Sequence, residues 1–203
     1  MSSQIVHIID DDPEVLQALA FLLTAAGFAV QIHDSAVAFL ARPDKTEGGC
    51  IVADIRMPGI DGLDMQRRLR AEGNPTPVII MTGHADVALA VEAMKAGAVD
   101  FIEKPFDDQG LIKAVRVALA RRQDERERSQ QIAELRHRLE RLSERERQVL
   151  DGLVAGKANK VIANDLNLSV RTVEGYRASV MAKMQAHSLS ALIRMVLSEP
   201  SLL

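Results

Sequence analysis

Four short apolar runs in this 203-residue chain end on residues that could handle a phosphoryl group. Ile5-Val6-His7-Ile8-Ile9 ends in Asp10-Asp11-Asp12, and Cys50-Ile51-Val52-Ala53 ends in Asp54. Val78-Ile79-Ile80-Met81 ends in Thr82, and Phe101-Ile102 runs into Glu103-Lys104-Pro105. A carboxylate at the end of a buried strand is costly unless a cation or a hydrogen-bond donor meets it. If the runs are parallel neighbours, Asp10, Asp11, Asp54, Thr82 and Lys104 converge on one sheet edge. Three carboxylates gathered there drive one another towards protonation, and a divalent cation relieves the conflict. All-oxygen ligation with room for water suits Mg²⁺. In that setting Asp54 is an oxygen nucleophile for phosphoryl transfer. Thr82 would hydrogen-bond one phosphoryl oxygen, and Lys104 would pair with another as a point charge. Asp12, with Pro13 behind it, fits a helix cap instead.

Positioning those residues requires a particular architecture. Up to about residue 120, strand-like runs at 4–9, 29–33, 50–53, 77–81 and 99–102 alternate with amphipathic stretches such as Val15, Leu19, Leu22, Leu23 and Val87, Val91, Met94. Five such βα repeats predict an α/β fold, a doubly wound parallel five-stranded sheet with helices on both faces. Ligands of such sheets sit at the carboxyl ends of the strands, near the topological switch point. The acidic cluster falls at those ends.

Composition is ordinary for a globular protein, with 47% apolar and 26% charged residues, which excludes fibrous and disordered classes. The single cysteine, Cys50, excludes a disulfide framework and a cysteine-based metal site. His7, His33, His84, His137 and His187 are scattered, with no ligand spacing on one element. No signal peptide and no run approaching a membrane span are visible, so a cytoplasmic chain is expected. Charge is uneven. Residues 1–120 carry 10 basic against 17 acidic side chains, residues 121–142 carry 7 against 5, and residues 143–203 carry 8 against 6. An acidic front and a mildly basic back suggest a cation site followed by a polyanion site.

Residues 121–142 read as a charged connector helix, with Ile132, Leu135, Leu139 and Leu142 at a/d spacing over less than two heptads. It either packs on a domain or contributes to dimerisation. Residues 143–203 are helical in pattern. Ser143-Glu144-Arg145-Glu146 has capping-box spacing, and Gly156 stops the first helix. A short helix with Val161, Ile162 and Leu166 leads through Asn167-Leu168-Ser169 into a longer one capped by Ser169, and a last helix covers about 188–197. Short helix, three-residue turn and longer helix is the helix-turn-helix layout. Its second helix would present Arg171, Thr172, Glu174, Gly175, Arg177 and Ala178 to a major groove.

Asp10-Asp11, Asp54-Ile-Arg-Met-Pro-Gly-Ile-Asp-Gly, Met81-Thr82-Gly83-His84 and Asp100-Phe101-Ile102-Glu103-Lys104-Pro105 resemble the receiver domain of two-component response regulators. The spacings agree too, with 43 residues from Asp11 to Asp54, 28 on to Thr82 and 22 on to Lys104. The C-terminal segment is similar to the LuxR/NarL-type helix-turn-helix, and the whole is most similar to the FixJ subfamily. The resemblance implies a flavodoxin-like receiver over 1–120, a helical linker over 121–142 and a four-helix DNA-binding domain over 143–203. It implies Asp54 as phospho-acceptor, with Asp10, Asp11, Asp54 and the Arg56 carbonyl as Mg²⁺ ligands. Thr82 and Phe101 would form a switch pair, and Lys104-Pro105 would carry the phosphate-pairing lysine on a cis bond. Base-reading positions fall on Glu174, Gly175 and Ala178, with Asn159, Lys160 and Lys183 placed for phosphates. Gly175-Tyr176 stands where the family usually has Val-His. Implied partners are a cognate sensor histidine kinase, double-stranded DNA, a second copy once phosphorylated, and RNA polymerase.

The chain is thus expected to be a transcription regulator rather than an enzyme. A rival reading is an aspartyl-phosphate hydrolase using the same Mg²⁺ pocket. That chemistry resembles the haloacid dehalogenase type, which needs a second Asp two residues on, where this chain has Arg56. A phospho-dependent protein-interaction adaptor is a third reading, separated from the first by DNA binding.

Overall fold

The computed structural model describes residues 5–42, 49–83, 87–199 and 202. Strands β1 (Ile5–Ile9), β2 (Ala29–His33), β3 (Cys50–Asp54), β4 (Val78–Thr82) and β5 (Asp100–Glu103) alternate with helices α1 (Pro13–Ala25), α2 (Ala36–Leu40), α3 (Gly62–Ala71), α4 (Val87–Ala96) and α5 (Asp108–Glu140). All pairings are parallel, in the order β2-β1-β3-β4-β5. The expected doubly wound sheet is therefore present, with its reversal of strand order between β1 and β3. β3 and β4 are buried at every position, which explains why they read as unbroken apolar runs rather than as alternating ones.

Side chains leave the strands with period two and feed two cores. Val6, Ile8, Val52, Ile79 and Met81 pack with Leu16, Leu19 and Leu23 of α1 and Leu111 and Val115 of α5. Ile9, Ile51, Ala53 and Ile80 pack with Phe39 of α2 and Leu63, Met65 and Leu69 of α3. Local signals start the helices. Asp12 accepts from the Glu14 amide with Pro13 at the first turn, and Asp61 accepts from the Asp64 amide. Gly62 is required by a close approach, since a Cβ there would lie 2.4 Å from the Asp54 carbonyl oxygen. Glycine at this point lets α3 begin directly against the end of β3.

The chain divides into two compact units, to Glu125 and from Arg126, and the division falls within α5. The second unit adds α6 (Glu144–Val154), α7 (Asn159–Leu166), α8 (Val170–Lys183) and α9 (Leu189–Leu197). Leu135 and Leu139 of α5 are buried there with Val149, Leu150, Leu153, Ile162, Val173, Val180, Leu192 and Val196. Leu135 and Leu139 of the connector's a/d stripe are therefore core material of the second unit, with Leu142 packed against them. Ser143 and Glu146 form the expected capping box, and Ser169 and Ser188 cap α8 and α9. Asn167 ends α7 in the left-handed conformation, φ 54°, so the chain reverses within three residues. Among the described residues no helix is long and apolar enough to cross a membrane.

Candidate functional site

The register of the sheet brings its carboxyl ends level, pairing Ile9 with Ala53, Asp54 with Met81, and Thr82 with Glu103. Asp10 and Asp54 are buried there, and the Lys104 ammonium lies 2.7 Å from Oδ2 of Asp10 and 2.7 Å from Oδ1 of Asp54. The second oxygens are also used. Asp10 Oδ1 accepts from the Asp12 amide at 3.0 Å, and Asp54 Oδ2 accepts from the Arg56 amide at 2.7 Å. Burial alone would lower the Lys104 pKa, but the hydrogen bonds and charges of Asp10 and Asp54 outweigh it and raise the value. Lys104 thus bridges residues 94 and 50 positions away in the chain.

Thr82, fully buried, ends the neighbouring strand, and its carbonyl accepts from the Lys104 amide at 2.7 Å. The Lys104-Pro105 bond is cis. Phe101 is half-buried on β5, and Asp11 is exposed. Four of the five residues singled out for the edge, Asp10, Asp54, Thr82 and Lys104, are joined directly, and Asp11 flanks them. His84 lies outside the described residues. Cys50 belongs to none of this chemistry, since burial pushes its thiol up to about 12 and leaves it protonated. A cavity of ≈ 310 Å³ lies at the opposite, amino-terminal edge of the sheet, lined by Gln66, Arg70, Asn74 and Val78 among others. It shares no residue with the acidic edge. On α4, Val87, Val91 and Met94 are exposed.

In the second unit α7, the turn at Asn167 and α8 complete a helix-turn-helix. Arg171, Thr172, Glu174, Gly175 and Ala178 are exposed on α8, and Lys160 is exposed on α7. Thr172 also serves the helix cap, donating its amide to Ser169 Oγ at 3.0 Å. Arg177 is half-buried and donates to Asn159 Oδ1 at 3.3 Å, linking α8 to α7. Tyr176 leans on the core. Lys183 is turned inward. Its ammonium donates to Glu146 Oε2 at 2.6 Å and to the Arg141 carbonyl at 3.2 Å.

Two features escaped the sequence reading. Glu146 is a hub as well as a cap, accepting from the Ser143 amide, the Ser179 hydroxyl and Lys183. The capping spacing was visible, but the lysine that completes the hub lies 37 residues on. His7 and His33, on different strands, meet with Nδ1 and Nε2 3.1 Å apart beside Phe39. A search for ligand spacing within one element could not have found them.

Comparison with known proteins agrees with both halves. Residues 6–116 match the family described as the response regulator receiver domain. Residues 140–196 match the bacterial regulatory proteins of the luxR family. The chain is 55% identical to the transcriptional regulatory protein FixJ of Azorhizobium caulinodans over 95% of this chain and 91% of that one. It is 50% identical to FixJ of Rhizobium meliloti, over 98% and 97% of the two chains. Among solved structures, the response regulator StyR superposes with a TM-score of 0.87 at 36% identity, over 97% of this chain and 99% of that one. Full-length FixJ from B. japonicum gives 0.60 at 46% identity, over 99% of each chain. The chain therefore belongs to the two-component response regulators, as a FixJ-like transcriptional regulator that joins a receiver domain to a LuxR-type DNA-binding domain.

Proposed function

We propose that Asp54 accepts a phosphoryl group from a cognate sensor histidine kinase and that this gates binding of double-stranded DNA. The observation that carries the reading is the clamp at the sheet edge, where one ammonium holds Asp54 and Asp10 at 2.7 Å each beside the end of Thr82's strand. An Asp54 carboxylate oxygen attacks phosphorus, and the bond to the donor's imidazole nitrogen breaks. The electron pair leaves with that nitrogen, which then takes up a proton. The chemistry ends on the chain's own side chain, not on an external substrate.

The residues present fit Mg²⁺. Asp10 and Asp54 bring two carboxylates to one ammonium, and the exposed Asp11 flanks them, a surplus of negative charge on hard oxygen donors. Among the described residues no three His, Cys, Asp or Glu side chains are gathered into a ready metal cluster. Mg²⁺ keeps several waters and asks for one or two carboxylates plus phosphate oxygens, and Asp10 and Asp54 supply two carboxylates side by side. Asp10, Asp11, Asp54 and the Arg56 carbonyl would hold it, and it would neutralise charge on the phosphoryl oxygens.

Lys104 pairs with one phosphoryl oxygen, and the Thr82 hydroxyl donates to another. Movement of Thr82 towards Asp54 leaves room for Phe101 to turn inward, which recasts the face bearing Val87, Val91 and Met94 as a homodimer contact. Pairing places two DNA-binding domains on two half-sites, the second bound at high local concentration. On α8, Glu174, Gly175 and Ala178 face base edges, with Arg171, Thr172 and Arg177 alongside. Lys160 and Asn159 face phosphates, and Lys183 retains one ammonium hydrogen for the same purpose. RNA polymerase is the downstream partner and the cytoplasm the compartment. The functional division is receiver 1–120, linker 121–142 and output 143–203.

The test is the mass of the intact protein after incubation with acetyl phosphate and Mg²⁺. Wild type gains one phosphoryl increment and Asp54→Asn gains none. A full increment on the variant moves the acceptor elsewhere.

A further inference from the structure

Gly175 stands in the middle of α8, a helix of 14 residues, where glycine is less favourable than alanine. Three structural reasons can keep a glycine inside a helix, and α8 supplies none of them. A packed neighbour can demand it, as the Asp54 carbonyl does at Gly62 and the Ile162 side chain at Gly152, where a Cβ would come within 2.4 and 2.8 Å. A Cβ on Gly175 meets nothing within 4 Å. A left-handed φ can demand it, but Gly175 is not among the described residues with positive φ. A break can demand it, but α8 runs unbroken from Val170 to Lys183. The missing side chain therefore serves nothing inside the folded chain.

Its surroundings say what it serves. Gly175 is exposed between Arg171 one turn before and Ala178 one turn after, with Glu174 beside it. The next residue, Tyr176, packs towards the core, so the aromatic ring does not fill the space. The result is an open notch flanked by a cation and a carboxylate on the helix that faces the major groove. The apolar group that projects from the floor of that groove is the thymine C5-methyl, which marks a T·A pair.

We propose that Gly175 is a specificity-determining residue whose empty Cβ position admits one thymine methyl in each half-site. This deepens the DNA-binding reading of α8 and rests on it. The glycine gives up helix stability in the free protein, and the groove contact returns it on binding.

Removing a single methyl tests this directly. DNA selected by full-length protein treated with acetyl phosphate and Mg²⁺ gives a consensus. Each thymidine in it is then replaced by deoxyuridine, and binding is followed by fluorescence anisotropy. For wild type, one position per half-site loses about fourfold in affinity, the worth of one buried methyl group. Gly175→Val, whose Cβ meets nothing within 4 Å in the folded protein, is insensitive at that position and selects a different base pair there. A Gly175→Val protein with the wild-type consensus and the same deoxyuridine profile overturns the proposal. The underlying reading fails differently. If wild type selects no consensus, or Glu174→Ala leaves it unaltered, α8 is not the base-reading helix at all.

Discussion

Replacing Glu146 by glutamine removes the charge from a carboxylate that closes three contacts at once. It accepts from Lys183 at 2.6 Å, from the Ser143 amide at 2.6 Å and from the Ser179 hydroxyl, tying the start of α6 to the end of α8. Lys183, then Ser179 and the Ser143 amide, hold its pKa down from 4.5 to about 2. A shift of that size is worth at most about 3 kcal/mol at neutral pH, at about 1.4 kcal/mol per pKa unit. The carboxylate is covered yet lies just beneath the surface, and Lys183 is 34% exposed, so screening reduces the figure. A loss of about 2 kcal/mol is the expectation for Glu146→Gln. The sign follows from the depressed value. The stabilisation is complete above the unfolded pKa of about 4.3 and disappears as pH falls through the folded value of about 2. The chain has one tyrosine and no tryptophan, and Tyr176 lies against the core of the second unit. Urea unfolding followed by tyrosine fluorescence therefore reads this unit alone. Wild type and Glu146→Gln should differ by about 2 kcal/mol at pH 7, and the gap should narrow as pH falls below about 4 and close only below about 2. Equal stability at pH 7, or a gap undiminished in acid, would refute the hub.

Lys104→Ala leaves Asp10 and Asp54 buried without their shared counter-charge. It should cost about 3 kcal/mol in urea unfolding and tighten Mg²⁺ binding by calorimetry, because the competing ammonium is gone. Unchanged Mg²⁺ affinity would count against a shared site. The Cys50 thiol should resist iodoacetamide at pH 8 in the folded protein and react on unfolding, since burial keeps it protonated at that pH. Lys160→Ala should weaken all DNA sequences alike and reduce the slope of log affinity against log salt by about 0.9. A variant that changes sequence preference instead would move Lys160 from phosphate to base.

The receiver was legible because its chemistry is written at strand ends. Apolar runs that stop at Asp10, Asp54, Thr82 and Lys104 declare both the strands and their common edge, and register then does the rest. Caps were legible for the same local reason. Asp12, Ser143 and Ser169 each bond an amide two or three residues ahead. What stayed hidden is set by contacts between distant segments. The stripe of Leu135 and Leu139 showed a face that must be covered, but not which segments cover it, and these turn out to be the helices of the second unit. Lys183 looks like a phosphate contact on a basic surface, yet a carboxylate from α6 has already engaged it. The His7–His33 contact depends on strand pairing between β1 and β2, which spacing along one strand cannot reveal.

The most direct test of the account is DNA affinity before and after phosphorylation, measured in parallel on wild type and Asp54→Asn by anisotropy on a selected operator. Acetyl phosphate with Mg²⁺ should raise wild-type affinity, with sedimentation showing monomer passing to dimer under the same conditions, and should leave Asp54→Asn unchanged in both. If Asp54→Asn gains DNA affinity as wild type does, Asp54 is not the gate.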